Sequence, residues 1–185
     1  MINYPTKKVS NYPKKNINNA NRGMALEDMI NRSNEYYKNH NIAYVNKRPT
    51  SVKVLKTMDN YKITEAVFLA PSTLDYVGVY QGCYLDFEAK ETTSSKGFML
   101  ANIAAHQINA MENILKYGGI TFAIIFFKAF NSIYLIDGQI LVDIYKSESK
   151  IIPYEKIKEI GHLINEGYNI PCDYIKIVKE VYLEK

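Results

Sequence analysis

The feature that most constrains this chain is the segment 85–90, in which apolar and charged side chains alternate. Successive side chains of a β-strand point to opposite faces, so Asp86, Glu88 and Lys90 share one face and the apolar residues share the other. The apolar face predicts packing on a core. The charged face presents two carboxylates and an amine within about 13 Å, at roughly 3.3 Å per residue.

A strand predicted over residues 75–80 brings another carboxylate, Asp75, with a turn signal between the two strands. Mg²⁺ prefers oxygen ligands and usually takes one or two carboxylates, waters and the substrate phosphate. Asp75 and Glu88 would converge on such an ion, and Lys90 would hold the attacking water or stabilise charge on the phosphate. A surface strand with ordinary alternating charges explains the same pattern, and spacing alone does not separate these interpretations.

The remaining patterns predict one α/β domain, because 185 residues are enough to bury a core. Apolar periodicity predicts helices over residues 21–39, with Asn21 as the N-cap, and over residues 102–116. Further strands are predicted at 42–46, 84–90, 120–127 and 133–136, and the carboxy-terminal part, including 153–166, is expected to be mainly helical. This order predicts a mixed central sheet flanked by helices.

Residues 50–69 alternate as a β-hairpin around the turn signal Asp59-Asn60. Three lysines decorate it, Lys53, Lys56 and Lys62. Because a fully buried hairpin would not tolerate so many lysines, we expect it to project from the body of the domain.

Positive charge is concentrated towards the amino terminus. The formal net charge is +4, but residues 1–65 carry 12 Lys/Arg against 5 Asp/Glu, whereas residues 66–185 carry 11 against 14. This asymmetry suggests a surface for a polyanion. Residues 1–20 contain four lysines and no acid, which predicts a flexible arm that contacts phosphates. An inert solvated tail explains the same charge.

Several classes of protein are disfavoured. Cys83 and Cys172 form no CxxC pattern, which argues against structural zinc and a disulfide framework and fits a reducing cytoplasm. The amino terminus has no apolar segment typical of secretion. The longest apolar stretch, residues 120–127, is too short to cross a bilayer, so no membrane partner is expected.

Asp75, Glu88 and Lys90 match the PD-(D/E)xK nuclease motif, with Leu74 where the motif has Pro. From about residue 21 to the carboxy terminus, the chain resembles the RecU-type Holliday junction resolvases. The segments that carry the resemblance are Asn21-Arg22-Gly23, Glu27, Ser33-Asn34-Glu35-Tyr36-Tyr37, Lys47-Arg48-Pro49-Thr50, Ser72-Thr73-Leu74-Asp75-Tyr76, Asp86-Phe87-Glu88-Ala89-Lys90-Glu91-Thr92 and His106-Gln107.

The resemblance implies a restriction-endonuclease-like α/β fold with a projecting β-hairpin stalk. It also implies a homodimer whose two active sites each nick one of two opposed strands of a four-way junction with Mg²⁺ or Mn²⁺. Recombinase and branch-migration proteins are candidate partners. By matched position, the metal ligands are Asp75 and Glu88 with Thr73 as a contributor, the catalytic lysine is Lys90, and the supporting residues are Glu27 and Gln107.

The hairpin, residues 50–69, matches the family's stalk, which enters the centre of the junction. Met58 stands where a basic stalk residue is expected, with lysines nearby as substitutes. The candidate DNA-contacting residues are Arg22, Lys47, Arg48, Lys53, Lys56 and Lys62.

Two other functions stay open. One is a related nuclease that cuts linear or flapped duplex DNA. The other is an architectural protein that binds branched DNA and whose carboxylates are purely structural. The intact set of Asp75, Glu88 and Lys90 weighs against the architectural function, because a degenerate site usually lacks one member. The favoured expectation is a resolvase of DNA recombination and repair.

Overall fold

The computed structural model describes residues 25–59, 62–69 and 73–184, and a six-stranded mixed sheet forms its centre. The predicted N-cap Asn21, Arg22 and the arm over residues 1–20 lie outside the described residues. The strands are β1 (Tyr44–Lys47), β2 (Val52–Met58), β3 (Lys62–Phe68), β4 (Tyr76–Tyr80), β5 (Cys83–Thr92), β6 (Gly97–Met99), β7 (Ile120–Phe127), β8 (Ser132–Asp137), β9 (Ile151–Pro153) and β10 (His162–Ile164).

The central sheet has the strand order β1-β4-β5-β7-β8-β10. Neighbouring strands are antiparallel except for β5 and β7, which are parallel. Parallel neighbours need a crossover connection, and here it contains a helix, α2. The helices are α1 (Leu26–Asn39), α2 (Ala105–Lys116), α3 (Gly138–Lys146), α4 (Tyr154–Ile160) and α5 (Tyr174–Val178). No helix among the described residues is long and apolar enough to span a membrane.

Two apolar cores lie on the two faces of the sheet. The first contains residues of α1 and α5 with Leu85 and Phe87 of β5, and the second contains residues of α2, α3 and α4. Strand β7 is buried at every position because its alternate side chains enter both cores, Phe122 in the first and Ala123 in the second. The predicted mixed sheet flanked by helices is therefore confirmed.

Strands β2 and β3 form a separate two-stranded sheet, and every described residue in them is exposed. The predicted hairpin is thus present and its side chains face solvent. Its base is closed by a hydrogen bond from the Leu69 amide to the Ser51 carbonyl oxygen, 3.1 Å. The sequence between β1 and β4 therefore leaves the central sheet, forms the hairpin and returns.

Some predicted boundaries were wrong. Helix α2 begins at Ala105 and not at residue 102, because Leu100–Asn102 form a separate 3₁₀ turn. The expected helical stretch 153–166 contains α4, but it ends in β10, which pairs with β8 at the edge of the sheet. A strand of three residues such as β10 is too short to show a clear period of two, so the sequence pattern does not distinguish it from the end of the preceding helix.

Helix α1 begins at Leu26, five residues after the predicted start. Glu91 of β5 accepts a hydrogen bond from the Leu26 amide at 2.6 Å and pairs with Lys128 at 2.5 Å. A carboxylate near the first amides of a helix is favourable because these amides have no partners within the helix. Although burial raises the pKa of Glu91, the bonds from Leu26 and Lys128 outweigh it and lower that pKa overall.

Candidate active site

The β4–β5 hairpin sets the direction of the candidate catalytic side chains. It turns at Gln81 and Gly82, which both have positive φ, as a two-residue hairpin turn requires. Tyr76 lies opposite Phe87 in the register, and their rings stack 5.0 Å apart in the first core. Asp75 directly precedes Tyr76, and its carboxyl lies beside Glu88 and accepts from the Ala89 amide. The two carboxyls therefore lie together at the start of β4.

Glu88 is the most deeply buried acid of the site, with its side chain 0% exposed. Its Oε1 atom lies 2.6 Å from Lys90 Nζ, and its Oε2 atom has no hydrogen-bond partner among the described residues. Burial and the neighbouring Asp75 carboxyl together raise the pKa of Glu88 to about 7, against the opposing effect of Lys90. A buried oxygen without a partner is costly, which indicates that a cation or donor belongs there.

Asp75 lies directly before β4 and bonds to the neighbouring strand β5 through its side chain. Its Oδ2 atom accepts a hydrogen bond from the Ala89 amide at 3.1 Å. This contact fixes the Asp75 carboxylate beside Glu88 on β5. Leu74, which replaces the Pro of the motif, is fully buried in the second core and anchors the segment by packing. Thr73, the other predicted contributor, is exposed two residues before Asp75.

The two predicted supporting residues have different positions. Gln107 is buried, and its Oε1 atom accepts a hydrogen bond from the Ala104 amide at 3.0 Å, which fixes the start of α2. Glu27 lies on the exposed side of α1, where its carboxylate pairs with Lys47 at the end of β1. Lys47 in turn lies opposite Tyr76 in the register, next to Asp75. The structure assigns no contact between either supporting residue and Asp75 or Glu88 among those it describes.

Asp86 lies two residues before Glu88 on the same face of β5 and is 3% exposed. Its Oδ2 atom accepts hydrogen bonds from Arg48 Nη2 at 2.6 Å and from the Tyr84 hydroxyl at 2.8 Å. Burial raises the pKa of Asp86, while its bonds to Tyr84 and Arg48 oppose the rise. Sequence reasoning missed the Tyr84 contact, although Tyr84 shares the i, i+2 alternation of Asp86 and Glu88 and could have been found from it.

The candidate DNA-contacting residues fall into two groups. Lys53, Lys56 and Lys62 are exposed on the hairpin, where Lys56 pairs with Glu65 at 3.0 Å. Lys47 and Arg48 lie at the hairpin base, and both pair with acids of the domain, as described above. Met58, at the place expected for a basic residue, lies opposite Lys62 in the register.

The described residues contain no cluster of three His, Cys, Asp or Glu side chains able to hold a metal ion. The available ligands are the two carboxylates of Asp75 and Glu88. This donor set does not fit a closed zinc site, which needs four protein ligands. It fits Mg²⁺, which completes its coordination with waters and substrate phosphate. The unpartnered Oε2 atom of Glu88 is a position that a positive charge would stabilise.

One carboxylate lies directly before β4, and a second lies on β5 two residues before a lysine, on a mixed sheet covered by helices. This is the arrangement that the PD-(D/E)xK nuclease motif describes. A family model described as "Recombination protein U" (RecU) matches residues 21–180. The chain belongs to this family.

Curated relatives agree with the family model. A protein of Geobacillus kaustophilus named Holliday junction resolvase RecU is 45% identical over 175 residues, which cover 90% of this chain and 87% of the relative. One of Bacillus cereus with the same name is 42% identical over 171 residues, which cover 88% and 86%. The solved structure of the Holliday junction resolvase Hjc of Archaeoglobus fulgidus aligns over 52% of this chain and 75% of that one, at 14% identity and a TM-score of 0.39. That similarity is too weak to support a conclusion.

Proposed function

We propose that this chain is a structure-selective endodeoxyribonuclease that resolves four-way DNA junctions by phosphodiester hydrolysis. The observation that carries the proposal is the meeting of Asp75, Glu88 and Lys90 at the start of β4, in a member of the Recombination protein U family. Relatives at 42–45% identity are named Holliday junction resolvases, which supports a four-way junction as the substrate.

Asp75 and Glu88 would hold a divalent cation, Mg²⁺ with Mn²⁺ as a substitute, and Thr73 would contribute from the preceding residues. The proposal is supported by the raised pKa and unpartnered oxygen of Glu88, because both reflect a carboxylate that is stabilised when positive charge is added. When bound, such a cation supplies charge that polarises the scissile phosphate and lowers the pKa of a water molecule.

Lys90 would stabilise the negative charge that develops on the phosphate. Its ammonium group is held at the site by Glu88, yet the side chain is 24% exposed and therefore open to a substrate. A compact ammonium on a flexible stem suits this role. Gln107 would support the site by fixing the start of α2, and Glu27 by holding Lys47 beside the end of β1.

Junction selectivity would come from the hairpin and from a homodimer that presents two sites to opposed strands. The exposed Lys53 and Lys62 of the hairpin, with Lys47 at its base, would supply contacts to phosphates, which carry affinity without sequence preference. Selection would then depend on DNA shape, which a protein reads through geometry and deformability without base contacts. The biological setting would be recombination and repair.

The test is cleavage of a labelled mobile four-way junction and a matched linear duplex, with Mg²⁺ and separately with Mn²⁺. Wild type is compared with Glu88→Gln and with the control Glu112→Gln. Glu112 is an exposed acid on α2 that pairs with Lys146 on α3. Gel shift without divalent metal measures binding. We expect paired symmetric nicks in the junction only, a loss of at least about 100-fold in Glu88→Gln with binding retained, and no change in the control.

Two outcomes would overturn the proposal. Tight junction binding by wild type with no cutting in either metal would indicate an architectural DNA-binding protein. Equal cutting of the junction and the duplex would indicate a related nuclease without junction selectivity.

A further inference from the structure

Arg48 lies where the hairpin joins the catalytic strands, and its contacts are directed into the domain. Its backbone amide donates to the Asp75 carbonyl oxygen at 2.7 Å, and its Nε atom donates to the Leu74 carbonyl oxygen at 3.3 Å. Its Nη2 atom bonds Asp86 at 2.6 Å. One residue, through its backbone and its side chain, therefore joins the segment that enters the hairpin, the segment that leaves it and the central strand β5.

The far end of this connection is anchored. Asp86 is buried beside Glu88 on β5, and the Tyr84 hydroxyl bonds the same Oδ2 atom that Arg48 uses. An arginine fork holds direction better than a flexible ammonium does, because its donors have a fixed planar geometry. The Arg48 side chain is only 30% exposed, and its Nε and Nη2 atoms donate to Leu74 and Asp86.

We propose that Arg48 is a positioning residue that holds the Asp75 carboxylate opposite Glu88 and so links the base of the hairpin to the active site. Because Asp75 follows directly after Leu74, the two bonds from Arg48 to this pair fix the backbone from which the Asp75 carboxylate projects. Movement of the hairpin on DNA would reach Asp75 through this connection. The expected effect on DNA cleavage rests on the proposed function. The expected effect on the position of Asp75 does not.

The Ala89 amide offers a direct reporter of this role. Its hydrogen is bonded to Asp75 Oδ2, beyond the last paired residue of β4. If Arg48→Lys releases Asp75, the Ala89 amide should exchange with solvent about 10-fold faster. The Phe87 amide, in the paired part of β5, should keep its wild-type rate, because a general loss of stability would accelerate both amides together.

The experiment measures amide hydrogen exchange by NMR in metal-free full-length protein for wild type, Arg48→Lys, Asp86→Asn and the double variant. Single-turnover junction cleavage at saturating protein and junction binding are measured in parallel. Lys146→Gln is the control, since it breaks one exposed ion pair between α3 and α2. Tyr84→Phe removes one hydrogen bond from Asp86 without changing any charge. It replaces the Arg48 and Asp86 variants in the experiment if those fold poorly.

We expect Arg48→Lys and Asp86→Asn each to speed exchange at Ala89 and to slow cleavage by about 10-fold or more. Junction binding should stay within about 2-fold of wild type. The double variant should lose no more than the worse single variant, since the two residues act through one contact. Tyr84→Phe should show a smaller change in the same direction.

Unchanged exchange at Ala89 together with weakened junction binding would overturn the inference and make Arg48 a phosphate contact. Additive losses in the double variant would also overturn it. If wild type cuts no junction but Arg48→Lys still releases Ala89, the positioning role stands and only the proposed function fails.

Discussion

Glu88 is held in an environment that disfavours its own charge. Its side chain is fully buried, a second carboxyl faces it, and one of its oxygens lacks a hydrogen-bond partner among the residues described. Burial of the charged carboxylate lowers the free energy of unfolding, and destabilised groups of this kind are common at active sites. The free energy involved can be measured through its dependence on pH.

Glu88→Gln is expected to stabilise the metal-free protein at pH 8 and to leave its stability at pH 4.5 nearly unchanged. The ordinary pKa is 4.5 and the folded pKa is about 7, so the unfolded state releases its proton first. The stability contributed by the protonated form is therefore lost as pH rises through about 7. A neutral amide avoids this loss, which is about 3 kcal/mol at roughly 1.4 kcal/mol per pH unit between the two pKa values.

Urea denaturation in a metal chelator at both pH values measures the difference. Glu112→Gln is the matched control and should leave stability unchanged at both. Equal stability of wild type and Glu88→Gln at pH 8 would show that Glu88 ionises in the fold without penalty.

The sequence alone predicted which face of β5 carries the charged side chains. The alternation in residues 85–90 placed Glu88 and Lys90 on one face, and the structure pairs them. It did not predict that Asp86, on the same face, bonds Arg48, because Arg48 is 38 residues away in the sequence. Periodicity reports which face a side chain occupies, but the partner it meets there depends on tertiary packing.

Among the elements, α1 is joined to the carboxy-terminal segment by buried polar contacts. Ser33 Oγ donates to the Met29 carbonyl oxygen and accepts from the Cys172 amide, both at 2.9 Å. The Tyr174 hydroxyl donates to Asn34 Oδ1 at 2.5 Å. These bonds cross 139 and 140 residues of sequence, so they close the first core around β5.

Ser33→Ala is expected to lower the free energy of unfolding by about 1–3 kcal/mol, because the Cys172 amide would be buried without an acceptor. Chemical denaturation followed by circular dichroism measures the change. Ser147→Ala is the control, since that serine is exposed at the end of α3, and its effect should stay within about 0.5 kcal/mol. Equal losses in the two variants would contradict the assigned role of Ser33.

Element types were predicted better than element ends. The strand over Ile120–Phe127 was predicted at its observed limits, because it is a continuous apolar run followed by Lys128. The start of α1 was not, because its first amide is capped by Glu91 from 65 residues away. A helix end fixed by a distant side chain leaves no local sequence signal.

In the whole molecule, the part of the chain with excess positive charge includes most of the hairpin. The basic residues of the first third include those on an element that belongs to neither apolar core. The acidic site lies next to the hairpin base, where the Arg48 amide bonds the Asp75 carbonyl oxygen. A polyanion that follows the hairpin would therefore be guided towards the two carboxylates.

Replacement of both Lys53 and Lys62 by Gln is expected to reduce the slope of log binding constant against log salt by about 2, since each phosphate contact contributes about 0.9. Junction binding by gel shift over a series of salt concentrations measures this slope. The control replaces Lys146 and Lys156, which removes the same charge from α3 and α4. Equal slopes in the two double variants would mean that only net charge matters.

The insertion of the hairpin between β1 and β4 separates two kinds of evolutionary change. No described residue of β2 or β3 is buried, and the insertion is closed at its base by the bonds from Arg48 and Leu69. Mutations in the hairpin are thus free to alter its length, charge or tip without repacking either core. A lineage could acquire a new preference for DNA shape in this segment while the hydrolytic residues stay as they are.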